Sequence, residues 1–385
     1  MFQMKTTQSE NEITLYFEGE INSTNAEAVD KEVFEALGSN PPEQVTFNFK
    51  DLTYISSAGL RILLKVKQAC PSLRLVEVGN EVYSVLEMTG FVTMIAVDRA
   101  LTEIDITGCE KIGDGYTCEV YRLSPEMIVK VFKKGIDVSD IQRELNLAKQ
   151  AFVLGIPTAI SFDIVKVGER YGVRFELFAS GSLRDAFRDE PDRFDELVQL
   201  YAGLLKKINQ TIPTTNDLPS ADDLAMEKTK SAKEGLTEEE FAKLQKLIGE
   251  IPHAKTYVHG DCHFKNILMQ NGDLFLIDMD TLSVGNPIYE LAAIYCTYIA
   301  FEEAKPGNNE DFLGVSKALS ERVFDGTLLA YLGKNDEETY WKIRVVAYNH
   351  MCYWVKKYAP EDTAFYSDCA NRLKEALKHV DSCLL

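Results

Sequence analysis

Residues 257–280 read YVHGDCHFKNILMQNGDLFLIDMD. A polar loop places Asp261 and Asn266 five residues apart, two short apolar runs flank Asn271-Gly272, and Asp278 follows the second run. An Asn-Gly pair between β-prone runs reads as a hairpin turn, because both residue types accept the positive φ that such a turn demands. The hairpin would return Asp278 beside the loop that carries Asp261 and Asn266. Two carboxylates and an amide would then meet at one point. Phosphoryl transfer needs that set: a carboxylate to orient the attacking hydroxyl, and oxygen ligands to hold Mg²⁺ against the phosphates.

Upstream, Ile112-Gly113-Asp114-Gly115-Tyr116-Thr117-Cys118-Glu119-Val120-Tyr121 lies between two β-prone runs. Glycines two apart, Gly113 and Gly115, let a backbone turn close over phosphates and offer its N–H groups. By itself the pattern suits an ordinary hairpin equally well. The run Ile128–Phe132 then puts Lys130 in an otherwise apolar strand, where a buried ammonium is costly unless paired. Glu144, inside the next helix, is the natural partner. Taken singly, Lys130 would snorkel to solvent and Glu144 would sit on a wet helix face. The order of loop, lysine, glutamate, Asp261, Asn266 and Asp278 favours a nucleotide site instead.

Three marks carry a family resemblance: His259-Gly260-Asp261 with Asn266 five residues on, Ile277-Asp278-Met279-Asp280, and Gly285-Asn286-Pro287-Ile288-Tyr289-Glu290-Leu291. With them, residues 107 to about 300 resemble the aminoglycoside phosphotransferase and choline kinase group of protein-kinase-like enzymes. The resemblance implies ATP and Mg²⁺ as cofactors, Asp261 as catalytic base, and Asn266 with Asp278 as metal ligands. It further implies Lys130 on the phosphates, paired with Glu144, and Glu176-Leu177-Phe178 as the hinge that meets adenine through its backbone. Asp280 is a candidate for a second metal, with a solvated turn carboxylate as the alternative.

The neighbours have plainer expectations. His259 is read as fixing the loop, His263 and Lys265 as structural or solvated, Cys262 as an inert thiol, and Glu290 as a loop anchor. The acceptor pocket would fall to residues 209–250 and to the helices from Tyr340 onward. There Asp222, Asp223 and Glu238-Glu239-Glu240 are candidates to face a cationic acceptor, against the default of solvated helix faces. Trp341, Trp354, Tyr348 and Tyr353 are candidates for an aromatic wall, against the default of core.

The first hundred residues have a different grammar. Ile13, Leu15 and Phe17 alternate as a half-buried strand, and a helix capped by Ser23 or Thr24 would run to Leu37. Val45–Phe49, Leu73–Val78 and Met94–Val97 read as strands, with helices at 57–70 and 82–89 between them. This βαβαβαβ order implies a small sheet with helices packed on it. The strings Asp51-Leu52-Thr53-Tyr54-Ile55-Ser56-Ser57-Ala58-Gly59-Leu60 and Val85-Leu86-Glu87-Met88-Thr89-Gly90-Phe91 resemble a STAS domain, the fold of anti-sigma-factor antagonists. That resemblance puts Ser57 at the position phosphorylated in those antagonists and implies a protein partner. The expected architecture is an α/β STAS domain over residues 1–100, then an α+β two-lobed protein-kinase-like fold over 107–385. Its small lobe would span 107–178 and its helical lobe 181–385, the latter including a helix from Arg193 to Ile208; another helix, capped by Ser139, would run to Phe152 in the small lobe.

Composition bounds the setting. A chain of 385 residues with 45% hydrophobic content is expected to be globular. Its longest apolar stretch, Leu291–Phe301, is about half a membrane span. Eight scattered cysteines without a C-x-x-C spacing suit a reducing cytoplasm. The net charge of −19 argues against a nucleic acid or an anionic membrane as partner. Together these point to a cytoplasmic phosphotransferase acting on a hydroxyl of a small molecule. The alternative is a signalling kinase or nucleotide-sensing module in which Ser57 is phosphorylated.

Overall fold

A strand that the sequence does not announce opens the chain. This strand, β1 (Gln3–Gln8), pairs antiparallel with β2 (Glu12–Ile21), yet all but one of its residues are exposed. Without a buried alternation it leaves no period to read. The computed structural model describes residues 2–9, 11–38, 42–115, 117–178, 181–214 and 218–385. They divide into two compact units, residues 1–105 with 164–171, and residues 106–163 with 172–385.

In the first unit the chain continues through α1 (Ala26–Leu37), β3 (Gln44–Ile55), α2 (Ser57–Ala69), β4 (Arg74–Val78), α3 (Asn80–Met88) and β5 (Ala96–Arg99). The sheet order is β1-β2-β3-β4-β5, parallel from β2 onward, which requires the helical crossovers the sequence shows. A last short strand, β6 (Thr102–Glu103), pairs in parallel with Val165 and Lys166. Ile13, Leu15, Phe17, Phe47 and Phe49 are buried on one face, with Phe17 centred 4.9 Å from Phe47. Neither Ser23 nor Thr24 caps α1. Asn25 stands at the cap position, and the Asn22 side chain gathers the turn by accepting from the Thr24 and Asn25 N–H groups. A side-chain amide three residues upstream does this as readily as a hydroxyl.

The Ser-Ala-Gly-Leu string has a packing reason. A Cβ on Gly59 would stand 2.6 Å from Ile55 Cγ1 and 2.8 Å from Ile21 Cγ2, both in the buried core. Only a glycine lets α2 approach the sheet this closely. Gly59→Ala is therefore expected to cost about 1–3 kcal/mol through overpacking. Amide hydrogen exchange in β2 and β3 would then speed up roughly tenfold or more.

The second unit begins with an antiparallel meander, β7 (Glu110–Asp114), β8 (Cys118–Ser124) and β9 (Met127–Phe132). Next comes α4 (Val138–Val153); β10 (Ser161–Val167) and β11 (Arg170–Glu176) follow, their residues 164–171 belonging to the first unit, and residues 172–176 of β11 return to pair with β9. The cap of α4 is Asp137, which accepts from the Ser139 N–H at 2.7 Å and the Ser139 hydroxyl at 2.6 Å. Ser139 serves its cap as donor instead of being it.

Helices then dominate: α5 (Leu183–Asp189), α6 (Phe194–Gln210), α7 (Ala221–Ala232) and α8 (Glu238–Gly249). The expected face of α6, from Phe194 to Ile208, is buried throughout. Short strands follow, β12 (Tyr257–Val258), β13 (Ile267–Gln270), β14 (Asp273–Leu276) and β15 (Ser283–Val284). After them α9 (Ile288–Tyr295) passes through a π-helical turn at Cys296–Ala300 into α10 (Phe301–Ala304). The chain closes with α11 (Lys317–Leu332), α12 (Glu337–Tyr358) and α13 (Thr363–Lys378). Among the described residues no helix is long and apolar enough to cross a membrane.

Candidate active site

Two antiparallel pairs position the loop. β12 pairs with β15 at its entrance, and β13 pairs with β14 at its exit. The turn of that hairpin has φ +55° at Asn271 and +89° at Gly272, the double left-handed geometry an Asn-Gly turn supplies. The Ile277 N–H then donates to the Asn266 carbonyl at 3.0 Å, tying the hairpin's return to the loop. Asp278 follows in the left-handed region at φ +64°, which asparagine and aspartate tolerate best among residues with a Cβ.

Within the loop, the Asn266 side-chain amide donates to Asp261 Oδ2 at 2.9 Å and to the Asp261 carbonyl at 3.1 Å. Its Nδ2 is thereby committed, which leaves Oδ1 as the side-chain atom that could meet a cation. From the other lobe of this unit, Lys130 on β9 reaches Glu144 Oε1 on α4 at 3.1 Å and Asp278 Oδ1 at 2.6 Å. Lys130 and Glu144 are largely buried, with side chains 13% and 17% exposed, so the ammonium has the paired setting that an apolar strand demands. Among the described residues no three His, Cys, Asp or Glu side chains cluster as a metal cage. Mg²⁺ held between protein and phosphates needs no such cage: one or two protein oxygens suffice. Asn266 Oδ1 and Asp278 Oδ2 are hard oxygen donors of that type, so the residues present fit the ion.

Charge is concentrated here. Burial, reinforced by the Asp278 and Asp280 carboxylates, pushes the Asp261 carboxyl up to about 8. Burial and Asp278 likewise raise Asp280 to about 6. Burial works against ionised Asp278 too, but the Lys130 ammonium outweighs it and holds that carboxyl below its ordinary value. Asp261, Asp278 and Asp280 thus act on one another through space while Lys130 pairs with Asp278, and a divalent cation would offset the excess of negative charge.

The loop backbone is held from beneath. Glu290, fully buried at the start of α9, accepts from the His259 N–H at 2.6 Å and the Gly260 N–H at 3.2 Å. His259 also accepts at Nδ1 from the Asp261 N–H at 3.3 Å, while its carbonyl takes the Thr281 hydroxyl at 2.6 Å. Burial lowers His259 to about 4 and His263 to about 3, so both are neutral at pH 7. His263 Nε2 lies 3.5 Å from Asp261 Oδ1, and Cys262 is a buried thiol pushed well up by burial. Lys265 turns away, donating to the Phe312 carbonyl at 2.6 Å.

Glu290 gives the fold a pH signature. Burial lifts its carboxyl to about 7, against the pull of its backbone donors. Between its unfolded value near 4.5 and about 7 the folded chain binds the extra proton, so Glu290 favours folding below that window and ceases to as pH rises through it. The thermal midpoint of the native chain relative to Glu290→Gln is therefore expected to fall between pH 5 and pH 8.

The remaining expected residues are placed as follows. Gly113 and Gly115 sit in the β7–β8 hairpin, where the Gly115 N–H donates to the Cys118 carbonyl at 2.8 Å. A Cβ on Gly113 would meet Val120 at 3.3 Å. Tyr116, which follows Gly115 in the chain, lies outside the described residues. In the segment expected to be the hinge, the Glu176 N–H donates to the Ile160 carbonyl and the Leu177 N–H to the Glu126 carbonyl, so both of those N–H groups are engaged. The Glu176 carboxylate accepts from the Ile160 N–H at 2.6 Å, and the buried Phe178 ring packs 4.9 Å from Phe275 on β14. Asp280 and Glu144 border a cavity of about 410 Å³, together with Asp140, Arg143, Thr117 and Leu224. In the first unit, Ser57 is the exposed first residue of α2, and the cap is Ser56, whose hydroxyl accepts from the Gly59 N–H at 3.4 Å.

The groups considered for a cationic acceptor are mostly engaged elsewhere. Asp222 pairs with His253 at 2.7 Å, and Glu240 closes a capping box with Thr237. Trp341 stacks on His379 at 4.0 Å, Trp354 packs edge-on against Phe301, and Tyr348 bonds Glu303. Residues 215–217, within the stretch assigned to the acceptor pocket, lie outside the described residues. Sequence reasoning missed three supports of the loop. Tyr201 read only as part of the helix from Arg193 to Ile208, Asn209 only as the start of the stretch assigned to the acceptor pocket, and Tyr298 only as part of an apolar run; no local pattern marks the hydroxyl partners or the bond from the Asn209 amide to the Tyr257 carbonyl at 2.9 Å.

Residues 108–318 match the model of the phosphotransferase enzyme family, and residues 3–104 match the STAS domain. No curated protein matches the chain. Among solved structures, a choline/ethanolamine kinase family protein from Mesorhizobium loti is similar at 12% identity, covering 71% of this chain and 88% of that one, with a TM-score of 0.46. The gentamicin complex of the aminoglycoside phosphotransferase APH(2″)-IIa is similar at 15% identity, covering 70% and 92%, with a TM-score of 0.48. With the family match spanning more than half of its length, this chain belongs to the phosphotransferase enzyme family and carries a STAS domain ahead of that region.

Proposed function

We propose that the chain transfers the γ-phosphoryl group of ATP to a hydroxyl of a small molecule, with its STAS domain as a regulatory or partner-binding module. The observation that supports this reading is two neighbouring sets, Lys130 paired with Glu144 and Asp278, and Asn266 bonded to Asp261, with Asp278 near enough to raise the Asp261 carboxyl. Asn266 Oδ1 and Asp278 Oδ2 would hold Mg²⁺, which supplies neutralising charge to the phosphates and to the crowded carboxylates. Lys130 would hold the α- and β-phosphate oxygens while Glu144 keeps its ammonium in place. Asp261 orients the acceptor hydroxyl and takes its proton as the new O–P bond forms. The bond from the γ-phosphorus to the bridging oxygen breaks, and ADP leaves. Gly113, Gly115 and the Glu176–Phe178 segment would line the nucleotide, and Asp280 would serve a second ion. Acceptor-dependent ADP release, measured over a panel of small alcohols and amino-sugars, tests the reading. No acceptor effect across the panel would sink it.

A second reading rests on Ser57, an exposed hydroxyl at the first position of α2, where helix N–H groups favour an added phosphate. The kinase-like region would then phosphorylate this serine, in its own chain or another, as part of a partner switch. Mass spectrometry of the full chain after incubation with ATP and Mg²⁺ distinguishes the two, with Ser57→Ala as control. Phosphate on Ser57 without any acceptor-dependent turnover would favour the second.

A further inference from the structure

Two buried tyrosines from distant parts of the sequence meet beneath the loop. Tyr201 lies on α6 and Tyr298 in the π-helical turn Cys296–Ala300, and neither has any exposed surface. The Tyr201 hydroxyl donates to the Cys262 carbonyl. The Tyr298 hydroxyl accepts from the Phe264 N–H at 2.9 Å and lies 3.2 Å from the Tyr201 hydroxyl. A hydroxyl has one proton to give, so the direction of the chain is fixed. Phe264 N–H donates to Tyr298, Tyr298 donates to Tyr201, and Tyr201 donates to the Cys262 carbonyl. The Tyr298 ring also packs 4.9 Å from that of Phe264.

Cys262 and Phe264 bracket His263 and fall inside the interval from Asp261 to Asn266. Glu290 holds the loop at His259 and Gly260, with a further backbone contact at Cys262. The tyrosine pair extends that hold to the Cys262 carbonyl and the Phe264 N–H. The setting of Tyr298 in a π-turn suits this, since such turns are rare, strained relative to an α-helix, and concentrated at functional sites.

We propose that Tyr201 and Tyr298 act as a hydroxyl clamp that fixes the loop between Asp261 and Asn266, making both tyrosines positioning residues for phosphoryl transfer. The proposal rests on the reading of Asp261 as base. A carboxylate displaced by a fraction of an ångström loses its alignment with the hydroxyl while the nucleotide, held by Lys130 and Asp278, stays bound. Tyr201→Phe and Tyr298→Phe are each expected to lower kcat about 10–100-fold with KM for Mg-ATP unchanged. The double variant should fall no further than the worse single one, because either change breaks the same chain.

Amide hydrogen exchange on the full chain supplies a readout independent of turnover. In the native protein the Phe264 amide should exchange as slowly as the His259 amide, and in Tyr298→Phe it alone of the two should become fast. Rapid exchange at Phe264 in the native protein overturns the clamp, even if the variants do not fold. Unchanged kcat in both single variants also overturns it, as does a multiplicative loss in the double. If no acceptor is ever turned over, the function proposed above fails, while the exchange pattern still decides whether the clamp exists.

Discussion

Asp261→Asn lowers acceptor phosphorylation about 10³-fold while Mg-ATP binds as before, if the carboxylate's task is to orient and deprotonate the acceptor hydroxyl. The substitution keeps the shape and much of the hydrogen bonding at Asn266, so little of the loss should come from a moved loop. It removes one of three carboxylates from a crowded site, and burial already opposes ionisation there. Metal-free protein should therefore become slightly more stable, not less. Single-turnover kinetics with calorimetry of nucleotide binding measures both parts. A rate within threefold of the native value would remove Asp261 from its role.

Asp278→Asn should be nearly as damaging by a different route. Asparagine tolerates the left-handed backbone at this position, so the 3₁₀ turn Met279–Thr281 after β14 is retained. Lys130 keeps its bond to Glu144 but loses its shorter one to Asp278. The candidate ion site is left with two neutral amide oxygens. A hard dication binds such a pair poorly, so the Mg²⁺ dependence of the rate should move to at least tenfold higher concentration. Saturating rate should fall about 10²–10³-fold, as is usual when a charge partner of the transferring group is lost. A Mg²⁺ titration of turnover checks this; an unshifted titration would assign the ion to other ligands. The two variants thus separate by what they disturb, Asp261→Asn the chemistry alone and Asp278→Asn the metal and nucleotide together.

Much of this site is legible in the linear sequence because short-range chemistry encodes it. The Asn271-Gly272 turn, the apolar strands around it and the five-residue spacing of Asp261 and Asn266 all act within about twenty residues, so each implies the next. Lys130 and Glu144 are also near neighbours, one strand and one helix apart. Helices with a strong apolar period, such as α6, read directly. The strand β1 does not, since exposure on both faces erases its period. Nor do the helix caps at Asn25, Ser56 and Asp137, where several adjacent polar residues offer competing oxygens and only the folded turn selects one.

From the linear sequence come the family, the attached STAS domain and a set of residue types that suits phosphoryl transfer. How that set is held is visible only in the fold. Lys130 and Asp278 are 148 positions apart in the chain, and so brought together only by the fold. Tyr201 and Tyr298 are 97 positions apart. Glu290 gives its carboxylate to backbone N–H groups, those of His259 and Gly260 among them, that carry no side-chain signal at all. Acidic and aromatic residues that could have faced an acceptor turn out to be committed to His253, Thr237, His379 and Phe301. Hydrogen bonds to backbone leave no residue preference to read, and long-range pairs leave no spacing. Those are the two kinds of contact that here fix the site in place.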